Sequence, residues 1–220
     1  MTATGWSVDR LAAHLREAIG GVPQRASVTF LGAEPIEVLR FLAGDGLVFV
    51  TIGASRHPMA DPADVNPDPI RGPRAELSIR LTAGGPDLQL PNLHRSLAML
   101  AATPMVEGLV LTEDALIDLG APLWDGAAFT AVLLTRDVLP SVILPEPAEG
   151  VRFLRAVPVT ANDVRPRRVD ALGRQDVDPA APTRSQGHRD ARVVVDLVLV
   201  GRRQFVVVDE EGRPGDGVGG

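Results

Sequence analysis

The chain has 220 residues, enough for one domain of good size or one domain with an appendage. Apolar residues make up 45% but aromatic ones only 4%, with no Tyr, so a core must be built from Leu, Val, Ile and Ala. A formal net charge of −6 argues against a nucleic-acid binder, and the lack of Cys excludes disulfides, thiolate chemistry and cysteine-based zinc sites.

Ser7 to Ile19 reads as a helix: Ser7 is a suitable N-cap, and Val8, Leu11, Ala12, Leu15 and Ile19 recur at three- and four-residue spacing. Gly20-Gly21 and Pro23 stop it. Strands are expected over Ala26 to Leu31, Ile36 to Phe41 and Leu47 to Ile52, joined by short turns as an antiparallel meander. Gly53 to Pro73 contains five prolines and reads as a long irregular loop. Such loops are uncommon beyond about 12–15 residues and are often functional.

Arg74 to Thr82 alternates Ala75, Leu77, Ile79 and Leu81 with Arg74, Glu76, Ser78 and Arg80, which predicts a half-buried strand with one wet face. Pro91 to Thr103 predicts a helix with Leu93, Leu97, Leu100 and Ala101 on its apolar face, ended by Pro104. Short apolar segments follow at Gly108 to Leu111 and Ala115 to Leu119, then strands at Phe129 to Leu134 and Val151 to Val159, separated by a proline-punctuated connection from Pro140 to Pro147. Thr160 and Asp163 resemble a helix start, with Val169 and Leu172 facing inward.

The remainder divides at about residue 187. Residues 1–187 form the expected domain, and 188–220 a C-terminal extension in which Val193 to Val200 and Phe205 to Val208 could pair as a hairpin before a glycine-rich tail. No run approaches the ~18 apolar residues of a membrane span, and no charged segment followed by an apolar stretch opens the chain. A cytoplasmic protein is the expectation.

No catalytic constellation stands out. Ser55 and His57 would need hydrogen-bond reach and an orienting carboxylate to act as nucleophile and base, and near-adjacent loop residues seldom adopt that geometry. Ser55 and Arg56 are better suited to tying down the loop, or to a binding contact. His14, His57, His94 and His188 show no metal-ligand spacing. Asp61, Asp64 and Asp68 lack the glycine and terminal acid of a calcium loop, and Gly84-Gly85-Pro86 lacks the ending of a phosphate loop. Trp124 reads as a packing anchor near a strand start, although Trp also suits an interface. Arg152, Arg155, Arg165, Arg167 and Arg168 could form a basic patch within an acidic protein, or read as solvated faces and ion pairs that stabilise little.

Four blocks in this order are similar to the suppressor of fused domain of bacterial proteins. They are Gly53-Ala54-Ser55-Arg56-His57-Pro58-Met59 after a buried strand, Arg74-Ala75-Glu76-Leu77-Ser78-Ile79-Arg80-Leu81, Ile117-Asp118-Leu119-Gly120-Ala121-Pro122-Leu123, and Val151 to Thr160. In that family a strand ends in G-S-R-x-P-M, the next reads E-L-x-L-x-L, and a late strand ends L-L-P-I-T before a helix. The resemblance covers Ala26 to Pro182. It implies an α+β fold, with a mostly antiparallel or mixed central β-sheet flanked by helices. It also implies a protein-binding module without enzymatic activity, metal or cofactor. The eukaryotic relative sequesters a transcription factor, and bacterial relatives resemble immunity proteins that neutralise a polymorphic toxin.

The expected partner is therefore a protein such as a toxin, with no nucleic acid and no membrane. The expected binding residues are Ser55, Arg56, His57, Met59 and Trp124. The competing readings are a hydrolase built on Ser55-Arg56-His57 and a scaffold or regulatory module.

Overall fold

A computed structural model of the chain describes residues 5–44, 46–60, 63–82, 88–160, 194–195 and 206–208. Its main body is a mixed sheet of seven strands flanked by two helices. In chain order these are α1 (Val8–Ile19), β1 (Gln24–Thr29), β2 (Ile36–Ala43), β3 (Gly46–Ile52), β4 (Arg74–Leu81), α2 (Leu93–Glu107), β5 (Leu116–Asp118), β6 (Phe129–Arg136) and β7 (Val151–Thr160). The spatial order is β5-β6-β7-β4-β3-β2-β1. The β1 to β3 strands form the expected antiparallel meander, and β4 pairs antiparallel with β3 beyond it. The β4–β7 pair is parallel, and β5–β6 and β6–β7 are antiparallel.

Val194–Val195 pairs with β5 and Val206–Val208 with β1. These are opposite edges of the sheet, so the described residues of the two runs are not paired with each other. Each edge offers unpaired backbone groups that an extended segment can take up. The expected helix after Thr160, the boundary near 187 and the glycine-rich tail lie outside the described residues.

Ser7 caps α1 as its sequence predicts: its side chain accepts from the Arg10 N–H at 3.2 Å. Leu11, Ala12 and Leu15 are buried against one sheet face, together with Leu39, Phe41, Val48, Val50, Ile52 and Phe153. On the other face, Leu93, Leu97, Leu100 and Ala101 of α2 pack with Val38, Phe49, Leu77, Ile79, Val132 and Leu154. Alternation along β2, β3 and β7 feeds both cores.

Two expectations are corrected. Pro104 does not end α2, which continues to Glu107. A helical proline leaves the carbonyl four residues back without its N–H donor. Here that carbonyl belongs to Leu100, and the Thr103 hydroxyl donates to it at 2.8 Å, which removes much of the penalty. Nor does β4 have a wet face: Arg74, Glu76 and Ser78 are 1%, 0% and 0% exposed. Lying between β3 and β7, with both faces of the sheet covered, the strand has no side open to water there. Gly108 to Leu111 forms no strand. Among the described residues, no helix is long and apolar enough to cross a membrane.

Candidate functional site

The polar face of β4 organises the loop that follows β3. The β3–β4 ladder ends at Val50↔Ser78. The next amide, Leu77 N–H, donates instead to Thr51 Oγ1 at 2.9 Å, and that hydroxyl donates to Glu76 Oε2 at 2.7 Å. Glu76 Oε1 then accepts from Gly53 N at 2.9 Å, Ser55 N at 3.0 Å and Ser55 Oγ at 2.6 Å. One fully buried carboxylate thus takes four donors, two of them from the backbone of the turn. Such an arrangement satisfies a buried carboxylate.

Arg74, two residues earlier on the same face, does the complementary work. Its Nη1 donates to the carbonyls of Ser55 at 2.9 Å and Arg56 at 2.7 Å, and its Nη2 to that of Ile70 at 3.0 Å. Burial pushes the Arg74 guanidinium below its ordinary pKa, opposed by the nearby charge of Glu149. Among the described residues no carboxylate lies within ion-pair distance of it, so carbonyl dipoles hold the charge. Glu76 therefore gathers the N–H groups at the start of the loop, and Arg74 gathers carbonyls from both its limbs. Met59 N–H donates to Pro73 O at 2.8 Å and closes the base.

Gly53 allows this course. Its φ of +133 is a conformation that L side chains rarely adopt. A Cβ there would also stand 3.0 Å from the Pro35 carbonyl oxygen. The single 3₁₀ turn Ala54–Arg56 follows. Farther along β4, the Ser78 hydroxyl donates to Asp137 Oδ2, and Arg80 pairs with Asp137 Oδ1 at 2.9 Å. Burial pushes the Asp137 carboxyl up. Hydrogen bonds from Ser78, Arg80 and the Leu139 amide outweigh it and hold the group below its usual range.

The residues singled out in the sequence divide between interior and surface. Ser55 is fully buried, and its hydroxyl, which donates to Glu76, accepts from Trp6 Nε1 at 2.9 Å. Met59 is in the α2-side core, where its Sδ accepts from Leu111 N at 3.3 Å. These two side chains hold the loop and do not face outward. Arg56 and His57 reach the surface. The Arg56 guanidinium lies 4.9 Å from the centre of the Trp6 ring and 2.5 Å from Glu34 Oε2. His57 Nε2 stands 3.9 Å from the same oxygen.

Glu34, Arg56, His57, Pro58, Pro104 and Met105 line an open cleft of about 190 Å³ between this turn and the end of α2. Trp124 lies away from it, half-buried with its ring 5.4 Å from Phe129, as a packing anchor would be. Ser55 and His57 are not brought together as nucleophile and base: one is sealed inside, the other solvent-facing beside Glu34. Among the described residues, no group of three His, Asp or Glu side chains could hold a metal ion.

Trp6, Glu34, Arg74, Glu76 and Asp137 were not identified by sequence reasoning. The alternation of β4 is compatible with a solvated face, and nothing local distinguishes it from a buried polar one. The available signal was the adjacency of a Gly-Ser-rich turn, a long loop and a strand with acid and base two residues apart.

Comparisons with known proteins agree with the fold. A family model described as Suppressor of fused protein (SUFU) matches residues 32–170. Among solved structures the chain is similar to one described as the Sufu-Fu complex crystal structure, with a TM-score of 0.52 and 14% identity over 72% of this chain and 78% of that one. No curated protein matches it.

Proposed function

Because this chain belongs to the suppressor of fused protein family, we propose that it is a non-enzymatic protein-binding module that acts by stoichiometric sequestration, as an immunity protein against a toxin. The supporting observation is the way the family-like turn uses its polar groups. Its one hydroxyl nucleophile is sealed between Glu76 and Trp6, while Arg56 and His57 border an open cleft. A turn held this firmly offers a preorganised surface, which reduces the ordering cost of association. The cited structural relative was solved as a complex of Sufu with Fu, which fits a partner-binding role. The net charge of −6 favours encounter with a basic partner.

The test is co-expression with the protein encoded immediately beside its gene. A 1:1 complex in size-exclusion chromatography and restored growth are expected. If the two proteins neither co-purify nor show protection, the immunity reading fails. With such a partner in hand, Met105→Asp, which places a charge on the cleft wall, is expected to weaken binding at least about tenfold while leaving the melting temperature unchanged.

A further inference from the structure

The cleft beside the turn joins three features that suit one kind of side chain. The first is a carboxylate with a free oxygen. Glu34 lines the cleft with its side chain 60% exposed. Its Oε2 meets Arg56 Nη1 at 2.5 Å and His57 Nε2 at 3.9 Å, while Oε1 takes no donor among the described residues. Arg56 is itself held, its guanidinium 4.9 Å from the Trp6 ring centre and its carbonyl bonded by Arg74. The carboxylate is thereby oriented, with one oxygen left for an incoming donor. The second feature is an apolar wall made by Pro58, Pro104 and Met105. The third is the helix itself: Pro104 and Met105 belong to the last turn of α2, and the C-terminal end of a helix carries partial negative charge. No basic residue in that turn offsets it, and Glu107 adds to it.

We propose that this cleft takes a long basic side chain, arginine or lysine, of a partner protein. The inference rests on the binding role proposed above and names the chemistry that the cleft recognises. At about 190 Å³ the cleft is smaller than the roughly 300–1,000 Å³ of a small-molecule pocket, and is on the scale of a single side chain. The aliphatic stem of such a residue lies along the prolines and Met105, and its charged head stays near water at Glu34 Oε1. The Arg56 charge is offset by Glu34 on one side and by the face of the Trp6 ring on the other. It therefore positions the carboxylate more than it opposes a second cation. An acidic side chain would instead meet the Glu34 carboxylate, the end of α2 and a chain of net charge −6. Glu34 is then the residue that sets specificity, and Arg56 holds it in place.

The test is titration of the full chain with three capped tripeptides, Ala-Arg-Ala, Ala-Glu-Ala and Ala-norleucine-Ala, followed by amide chemical shifts. The arginine peptide is expected to shift the amides of Glu34, His57 and Met105 and to saturate with a Kd of about 1 mM or below, the range open to one side chain. The other two are expected to bind at least about fivefold more weakly. Because Glu34 is largely exposed, Glu34→Gln is expected to weaken the arginine peptide only about threefold to fivefold, and Glu34→Lys to abolish its binding. Thermal unfolding of both variants shows whether the fold persists. Raising the salt on the parent chain provides a second measurement: binding of the arginine peptide weakens and that of the norleucine peptide does not.

Tighter binding of the glutamate peptide overturns the proposal and makes the cleft a site for an acid. Equal binding of all three overturns it too, leaving an apolar contact without charge selection, as does binding of none. Arginine binding that is unchanged in Glu34→Lys also overturns it. No partner protein enters these titrations, so failure of the two readings can be told apart. A gene neighbour that does not co-purify sinks the immunity reading and leaves the cation site standing. A partner that binds the Glu34→Lys chain as tightly as the parent sinks the cation site and leaves the binding role.

Discussion

Replacing Glu76 with Gln keeps the shape of the side chain and removes its charge. Oε1 accepts three hydrogen bonds, from Gly53 N, Ser55 N and Ser55 Oγ, in a fully buried setting. Bonds to a charged group contribute about 1.5–3 kcal/mol and neutral ones about 0.5–1.5, net of hydration. The three bonds therefore weaken by about 1 kcal/mol each, or about 3 kcal/mol together. The fourth contact changes less. Thr51 can rotate its hydroxyl and accept from the new amide, although it already accepts from Leu77 N–H.

For a chain of this size that loss corresponds to a melting temperature lowered by about 6–12 °C. The assay is urea and thermal unfolding followed by circular dichroism, with amide exchange at Gly53 and Ser55. If those amides exchange through local opening of the turn, their protection falls on the order of 100-fold. A double-mutant cycle with Ser55→Ala is expected to show coupling of about 1 kcal/mol. The opposing effect is desolvation: a buried charge is costly, and its removal can stabilise a protein when good neutral packing replaces it. Unfolding energies within about 0.5 kcal/mol of the parent, or any increase, would refute the idea that the carboxylate holds the turn.

Gly53→Ala forces a side chain into a rare backbone conformation and places its Cβ near the Pro35 carbonyl, so a loss of at least about 2 kcal/mol is expected in urea unfolding. Arg74→Lys preserves the charge but not the fork that reaches three carbonyls, and is expected to cost about 2–3 kcal/mol in the same assay. Asp137 has a lowered folded-state pKa, so the unfolded chain binds its proton first on acidification. Its contribution is complete above the ordinary carboxyl value of about 3.9 and is lost as pH falls through the lower folded value. In Asp137→Asn, urea midpoints measured between pH 5 and 2 are therefore expected to be lower at pH 5 and to decline less steeply below about pH 4.

The elements that could be read from the sequence are those whose periodicity has one physical meaning. The spacing of Leu11, Ala12, Leu15 and Ile19 behind Ser7 fits only an amphipathic helix, and α1 is found there. The short turns between three apolar runs leave little but a meander, and β1 to β3 form one. The fold class follows from these elements and from the four blocks that resemble the family.

The candidate site was less legible because period 2 identifies two faces of a strand without saying which meets water. Arg74, Glu76 and Ser78 have the composition of a solvated face, yet the parallel pairing with β7 places β4 inside the sheet. That pairing joins residues far apart in the chain and leaves no local trace. Ser55 and His57 were separable only in three dimensions. Pro104 was misread as a terminator because the compensating Thr103 hydroxyl acts through helix geometry, not through sequence adjacency.

The order of charges along β4 also explains why the turn and strand belong together. Successive same-face residues of a strand lie roughly 6.4–6.8 Å apart. Glu76 and Arg74 therefore present an acceptor and a donor at fixed separation, matched to the N–H groups that open the loop and the carbonyls that follow. Exchanging the two charges would leave composition unchanged but set like against like at both positions. Shifting the register by one residue would point both side chains into the α2-side core. The interior network consequently fixes where Arg56 and His57 emerge beside Glu34. Under the binding role proposed above, substitutions on the outward rim are expected to alter recognition with the support beneath it intact, and those beneath it to act only by loosening the turn.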